Sequence, residues 1–474
     1  MEFSKYLEKN KEIGFVKSSF QSIAYIKGLP GAKPAEIIIF ENGTKGYVLS
    51  LNQENVEVLL LTAKEIETGQ KAARTDTFLS LGISDSILDT TINPLGEVIN
   101  GKRFVAKEER KLDTNPPALN KRKNIDKPFE TGVSRVDVIV PLGKGQRELV
   151  VGDRKIGKTD FLLQVMKKAA QDGLVVVYTA IAKRGADIKM AEEFASAQGI
   201  QKNCTIVASS ASDPAGIIFL APFAGMTIAE YFRDQGKDVL LVLDDMTAHA
   251  KYYREITLLA RRFPGRSSYP GDIFYIHSRL LERAGAFQKG SITCLPVAEL
   301  VMGDISGFIQ TNLMAITDGH LLFDSEFHSQ GRRPPINPFL SVTRVGHQTQ
   351  TALYRDLGRI ITSFLVELDN VRQFMHFGAE LTENSKRTLI IGEQIETFFD
   401  QEKEEIRPLS LSSFIIAKIW SGATISMDAK EFSGNTSSLI EKYKNDKEYA
   451  QKIDQLVSES SNFSDFVEKV KNHD

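Results

Sequence analysis

Hydrophobic positions along the chain change rhythm twice and divide it into three textures. Over residues 14–75, short apolar runs are separated by Gly, Pro and Asn: Ser22-Ile-Ala-Tyr-Ile26, Glu36-Ile-Ile-Ile-Phe40, Gly46-Tyr-Val-Leu-Ser50 and Val56-Glu-Val-Leu-Leu-Leu61. Strands at that spacing, with turn residues between them, predict a small antiparallel barrel. Over residues 76–351 the apolar runs alternate with helical stretches: Arg147-Glu-Leu-Val-Val151, Leu174-Val-Val-Val-Tyr178, Thr205-Ile-Val-Ala208, Val239-Leu-Leu-Val-Leu243 and Leu313-Met-Ala-Ile-Thr317. Continuous apolar strands between helices predict a mostly parallel sheet covered on both faces. From residue 352 onward strand signals fade, and Leu, Phe, Glu and Lys recur at helical spacing. The expected division is a barrel with a short N-terminal arm (1–75), an α/β sheet domain (76–351) and an α-helical domain (352–474), with no internal repeat or long low-complexity segment.

Composition acts mainly by exclusion. The 474 residues carry 59 Lys and Arg against 61 Asp and Glu, a net charge of −2, which leaves no electrostatic footprint for nucleic acid or an anionic membrane surface. The triplet Lys121-Arg122-Lys123 is short and reads as a solvated loop. A hydrophobic share of 42% and a charged share of 25% suit a soluble chain with a large core. At roughly 100–200 residues per domain, about two to four domains are expected. The two cysteines, Cys204 and Cys294, stand in apolar surroundings at no metal-ligand spacing and read as buried, reduced thiols. Seven scattered histidines give no zinc pattern. The polar N-terminus does not read as a signal peptide, and no apolar run of 18 or more residues is evident, so the expected location is cytoplasmic, or peripheral to a membrane through partners.

Candidate chemistry lies where the second texture begins its helices. Gly152, Asp153, Arg154, Lys155, Ile156, Gly157, Lys158 and Thr159 fit GxxxxGK[ST]. An apolar strand ends at Val151, and a helix with Phe161, Leu162, Val165, Met166 and Ala169 on one side follows, stopping at Asp172-Gly173. Glycines let backbone N–H groups and the helix N-terminus face phosphate oxygens. Lys158 would reach the terminal phosphates, and the Thr159 hydroxyl would ligate Mg²⁺. A second carboxylate, Asp244, closes the run Val239-Leu-Leu-Val-Leu243 and is assigned to the magnesium shell through water. The central domain is thereby expected to be a P-loop nucleotide-binding domain, of RecA-like type, that holds nucleotide phosphates with Mg²⁺.

With these residues placed, the chain resembles the alpha subunit of F-type ATP synthases. The similarity is carried by Val140-Pro-Leu-Gly-Lys-Gly-Gln-Arg-Glu-Leu-Val-Val-Gly-Asp-Arg154, by Leu258-Leu-Ala-Arg-Arg-Phe-Pro-Gly-Arg266 and by Tyr269-Pro-Gly-Asp-Ile-Phe-Tyr-Ile-His-Ser-Arg-Leu-Leu-Glu-Arg283. Ser341-Val-Thr-Arg344-Val-Gly346 and Phe377-Gly-Ala-Glu-Leu381 continue it, so that it runs over residues 14–425. The resemblance implies an alternating ring of three alpha-type and three beta-type subunits around a gamma-like central shaft, with active sites mainly on beta. Catalytic subunits of the family carry a water-orienting glutamate after the strand that follows the phosphate-loop helix. Here that segment is Val177-Tyr-Thr-Ala-Ile-Ala-Lys183-Arg184-Gly185, without a carboxylate, and Asp187 lies beyond it. Little or no hydrolysis by this chain is therefore implied. By the same resemblance, Arg344 reaches in trans into the neighbouring beta site as a catalytic arginine, and Arg333 and Pro334 line the adenine end of the pocket. Gln401 is similar to an adenine-contacting glutamine, while His328 stands where the family has an aromatic residue. ATP or ADP, Mg²⁺, a beta-type partner, a peripheral stalk or specialised membrane components, and no nucleic acid complete the expectation.

Departures point to a specialised paralogue. The phosphate loop reads Arg-Lys-Ile-Gly where the family has Arg-Gln-Thr-Gly, and the segment at Ala182-Lys183 is one residue shorter and lacks the family's Gln. The N-terminal arm is reduced to about a dozen residues, and a distinct linker, Leu112-Asp-Thr-Asn-Pro-Pro-Ala-Leu-Asn-Lys-Arg-Lys-Asn124, precedes the phosphate-loop region. Three rival readings stand beside the alpha type. A homohexameric ATPase of the type III secretion or flagellar export kind requires a catalytic glutamate near residues 180–185. A hexameric RNA translocase requires a basic, aromatic-rich barrel. A scaffold with a degenerate site is opposed by Lys158, Thr159 and Asp244.

Overall fold

Alternation of core-facing and outward residues closes the first six strands into the expected barrel. A computed structural model describes residues 2–376 and 382–472. The barrel order is Ile13–Phe20, Ile23–Lys27, Val56–Leu60, Lys45–Leu51, Glu36–Phe40 and Lys71–Phe78, which returns to the first strand, with every pairing antiparallel. Ile26, Ile38, Phe40, Val48, Val58 and Leu60 fill its interior. Two strands, Glu36–Phe40 and Val56–Leu60, are buried at all five positions, so their outer faces are covered as well. On Val56–Leu60 the cover is the helix Ala215–Asp234. Its Gly216 approaches so closely that a Cβ would lie 2.6 Å from the Leu60 carbonyl oxygen, which only glycine permits. The short helix Glu2–Asn10 precedes the barrel.

The chain forms two compact units. One comprises Met1–Lys123, Gly173–Glu299 and Asp304–Thr317; the other comprises Asn124–Asp172, Leu300–Gly303 and Asp318–Asp474. In the first, the barrel joins a run of sheet in the order Gly290–Glu299, Asp238–Asp244, Val175–Lys183, Cys204–Ser210, Thr90–Ile92 and Val98–Gly101. The first five strands are parallel, and the last pairs antiparallel at the edge. Val239, Leu240, Leu241, Val242 and Leu243 are all fully buried, as a strand covered on both faces requires. In the second unit, Glu148–Gly152 pairs parallel with Gly319–Phe323, which pairs antiparallel with Val342–Thr343. Among the described residues, six helices follow: Ala352–His376, Glu383–Phe399, Leu409–Ser421, Ala429–Asn445, Lys447–Ser458 and Phe463–Lys471. Leu357, Ile361, Leu365 and Leu368 mark the buried stripe of the first, and Trp420 meets Phe364 edge-on at 5.1 Å between ring centroids. Barrel, mostly parallel sheet and helical C-terminal region thus match the fold class read from the pattern.

Three local expectations are corrected. The run Leu313-Met-Ala-Ile-Thr317 is not a strand: Phe308–Ile316 is a helix, and the strand is Gly319–Phe323. Five continuous apolar residues fit a buried helix as well as a buried strand, and periodicity cannot separate them at that length. The basic triplet is not uniformly solvated. Arg122 is half-buried, donates to the Ala284 carbonyl at 3.0 Å and to the Glu282 carbonyl, and lies 5.4 Å from the Phe287 ring centroid. Its aliphatic stem and planar head suit it to cover an apolar surface, which charge counting does not show. The helix Ala215–Asp234 is 20 residues long and apolar enough on average to cross a membrane, yet it is buried from Ala215 to Arg233 within its own unit, as a core helix is. Cys204 and Cys294 are buried, and burial pushes the Cys204 thiol up to about 12.

A buried histidine pair should make the first unit sensitive to acid. His249 Nδ1 and His277 Nε2 are 3.1 Å apart, and His249 Nε2 contacts the Phe219 carbonyl at 3.1 Å. Burial lowers His249 to about 4 and lowers His277 well below the ordinary 6.5. In the unfolded chain both titrate near their ordinary value, so below about pH 6.5 the unfolded state binds more protons than the native state. Their contribution is complete above that pH and is lost as pH falls toward about 4. Urea midpoints measured across this window should fall steeply in the native sequence and less steeply in His249→Gln.

Candidate functional site

Glu148–Gly152 is a fully buried strand that delivers the chain into the phosphate loop at the sheet's carboxyl edge. Lys155 and Gly157 take left-handed backbone angles, φ 61° and 91°, which curl the loop before the helix Lys158–Gln171 begins. The Lys158 ammonium donates to the carbonyls of Gly152 and Asp153, each at 2.6 Å, and so folds back over the loop. Asp153 accepts from the Gly303 N–H at 3.1 Å and the Ser325 hydroxyl at 2.7 Å, which anchors the loop to neighbouring chain. Ile156, the departure from the family pattern, is buried, and its Cδ1 lies over Gly152. The apolar side chain has turned inward and leaves the curl of the loop intact. Phe161, Leu162, Val165, Met166 and Ala169 are buried along the helix as the spacing predicts, and Phe161 meets Phe323 edge-on at 5.5 Å. Thr159 is half-buried in the first turn.

Beside the loop opens a cavity of about 440 Å³, lined among others by Gly157, Phe161, Arg333, Pro334, Asp400 and Gln401. The structure thus brings Arg333, Pro334 and Gln401 together with the phosphate loop within one unit. Gln401 contributes mainly as a fastener. Its amide nitrogen donates to the carbonyls of Gly132 and Glu405, both at 2.7 Å, while its oxygen accepts from the Ser134 N–H at 3.1 Å. Its backbone N–H donates to the Arg333 carbonyl at 2.7 Å. Both amide hydrogens are therefore occupied, and the oxygen keeps one further lone pair. The Arg333 guanidinium is turned to the carbonyls of His328 and Arg332.

Behind this cavity lies a residue that pattern reading missed. Arg135 is 3% exposed, with its guanidinium 5.4 Å from the Phe399 centroid and 6.0 Å from that of Phe327. Asp400 stands 3.9 Å away, and burial lowers Arg135 to about 10. The only sequence signal was a lone Arg between Ser134 and Val136 in an otherwise apolar stretch.

In the first unit, Asp244 ends its strand beside Ala180 of Val175–Lys183. It accepts from the Tyr178 hydroxyl at 2.8 Å and forms an ion pair with Lys183 at 2.6 Å. Burial alone would lower the Lys183 ammonium, but Asp244 and Asp245 outweigh it and hold it above its ordinary value. Asp245 caps the helix Met246–Leu259 by accepting from the Ala248 N–H at 2.6 Å, and burial raises its carboxyl to about 6. Asp187 is paired instead with Arg184 at 3.0 Å, which lowers its carboxyl. Lys183 as the partner of Asp244 was not foreseen. A basic residue shortly after one apolar run and an acidic residue closing another were the available signal.

Arg344 is exposed at the end of Val342–Thr343, with its N–H donating to the Asp318 carbonyl at 2.9 Å. Residues 377–381, which carry part of the resemblance, lie outside the described residues. Among the described residues, no group of three or more His, Cys, Asp or Glu side chains forms a metal cluster.

A family model described as "ATP synthase alpha/beta family, nucleotide-binding domain" matches residues 132–343. The chain is 39% identical over 402 residues to the ATP synthase subunit alpha of Mycoplasma genitalium, covering 83% of this chain and 78% of that one. The same figures hold for the ATP synthase subunit alpha of Mycoplasma pneumoniae.

Because the Gln401 amide ties three backbone groups beside the cavity, Gln401→Leu should destabilise the chain by about 1–3 kcal/mol. Denaturant unfolding with and without ATP measures both this loss and an accompanying weakening of nucleotide binding.

Proposed function

The chain belongs to the F-type ATP synthase alpha subunit family, and within it we propose a nucleotide-holding subunit that hydrolyses little itself and completes the active site of a beta-type neighbour. The observation that carries the reading is the Lys183–Asp244 ion pair. Where catalytic subunits place a water-orienting carboxylate after this strand, the present chain ends it in an ammonium held at 2.6 Å on Asp244. A cation there cannot accept a proton from an attacking water or orient it by hydrogen-bond acceptance.

The residues present fit a nucleotide. Residues 152–159 would bind phosphates through backbone N–H groups at the loop and the helix N-terminus, and the Lys158 ammonium would leave the two carbonyls it now serves for phosphate oxygens. Arg333 and Pro334 would border the base, with Gln401 holding the wall behind it. Thr159 would enter the magnesium shell directly and Asp244 through water, an assignment that rests on the motif and on Asp244's strand-end position. Magnesium ATP, when bound, supplies a polyanion that this chain retains. The chain's own work is to bind it, hold the loop rigid, and present Arg344 outward.

In trans, the Arg344 guanidinium would neutralise charge on the partner's transferring phosphoryl group, an effect of about 10³–10⁵ in rate. The proposed assembly is an alternating ring with beta-type subunits around a gamma-like shaft. Stalk or specialised membrane components would hold it at the cytoplasmic face of a membrane. Residues 1–75, 76–351 and 352–474 are proposed as its consecutive domains, and the departures in the phosphate loop and linker favour a specialised paralogue.

The deciding measurement is magnesium ATP binding and hydrolysis by the purified chain, alone and mixed with its beta-type partner. Binding without turnover alone, and activity on mixing that Arg344→Ala reduces by about 10³-fold or more, are the expected results. Sustained turnover by the chain alone would favour the self-sufficient export-type hexamer.

A further inference from the structure

The chain around Arg344 is fixed on both sides by a small, partly buried network. Thr343 Oγ1 donates to the Pro141 carbonyl at 3.0 Å and accepts from the Gly346 N–H at 3.0 Å. It also accepts from Gln146 Nε2 at 3.0 Å, and the same nitrogen donates to Glu148 Oε2 at 2.7 Å. Gln146 is itself held, because its side-chain oxygen accepts from the Gly143 N–H at 2.9 Å. One polar line therefore runs from the Glu148 carboxyl through Gln146 to the residue before Arg344.

Strand register explains how a glutamate reaches that point. Glu148 stands beside Gly319, and Gly319 stands beside Thr343. A Cβ at position 319 would fall 2.6 and 2.8 Å from the two Glu148 carboxyl oxygens, so the missing side chain is the space the carboxyl occupies. Glu148 is fully buried, and its Oε1 has no hydrogen-bond partner. Leaving a buried acceptor unsatisfied is unfavourable, and strand pairing does not call for a carboxyl at this position. Burial pushes the carboxyl well above its ordinary range; Gln146 counters this, Asp318 adds to it, and Arg344 opposes it. The charged and titratable groups around it are thus Asp318, which is ion-paired with Arg147, then Arg344, and His320, on which Arg344 also acts.

We propose that Glu148 is a positioning residue for Arg344: through Gln146 and Thr343 it fixes the backbone from which the guanidinium projects. This rests on the reading that Arg344 serves a neighbouring site in trans. An arginine already aimed requires no reordering when charge develops on the partner's phosphoryl group, which is where preorganisation acts on rate rather than on substrate binding.

The test uses the complex assembled with the beta-type partner and reads kcat and KM for ATP hydrolysis. The proteins are the native chain, Glu148→Leu, Arg344→Ala and the double variant. Glu148→Leu, which removes the acceptor, is expected to lower kcat about 10- to 100-fold with KM unchanged, and to have no further effect on the residual rate of Arg344→Ala. Full activity of Glu148→Leu beside an inactive Arg344→Ala overturns the positioning role, as does an equal loss in both backgrounds, which would mean that Glu148 acts elsewhere. Full activity of Arg344→Ala would overturn the in-trans reading itself. Should Glu148→Leu fail to assemble, Thr343→Val and Thr343→Ser decide. A kcat-selective loss in the valine variant that serine restores supports the network, and equal kcat in both removes it.

Discussion

A parallel strand buried on both faces has its backbone polar groups bonded laterally to its neighbours, so chemistry is confined to its ends. Glu148–Gly152 meets this constraint over five residues, all of them buried, with Gly319–Phe323 in parallel register beside it. At about 3.3 Å per residue, its two ends are little more than 13 Å apart. The carboxyl end opens into the phosphate loop. The amino end places the Glu148 side chain over Gly319 and beside the strand that leads to Arg344. The features that would retain a nucleotide and the one that would serve a neighbour are thus carried by the same short, rigid element.

Buried charges in both units are held by specific partners. Asp244 is satisfied by Lys183 and Tyr178 together, and Asp245 caps a helix at the adjacent position. Arg135 is held between aromatic rings near Asp400, behind the cavity that borders the phosphate loop. Removing one partner from such a pair leaves a charge in a medium of low polarity, which disfavours drift by single substitutions more strongly than at surface ion pairs.

Much of the fold was legible because its signals are local and repeated. The barrel strands Glu36–Phe40 and Val56–Leu60 begin where alternation and turn residues put them, and the phosphate-loop helix buries the five apolar residues that its spacing selects. The run over 313–317 failed because five apolar residues satisfy helix and strand equally, and only the position of the following strand, Gly319–Phe323, settles the matter. Arg122 failed because residue type reports charge and not the apolar surface that a long stem can cover.

By itself the sequence determined the barrel, the mostly parallel sheet, the helical C-terminal region, the phosphate-loop pattern and the family, since each is written in residue spacing or in long stretches of similarity. Tertiary structure alone decided the partners. Lys183 meets Asp244, Gln401 fastens Gly132, Ser134 and Glu405, and Glu148 is joined through Gln146 to Thr343. These groups are distant along the chain or lie on separate strands, and their contact depends on strand order and register. The physical reason is that a hydrogen bond or ion pair is fixed by distances of a few ångströms, whereas residue spacing records only which face of an element a side chain occupies.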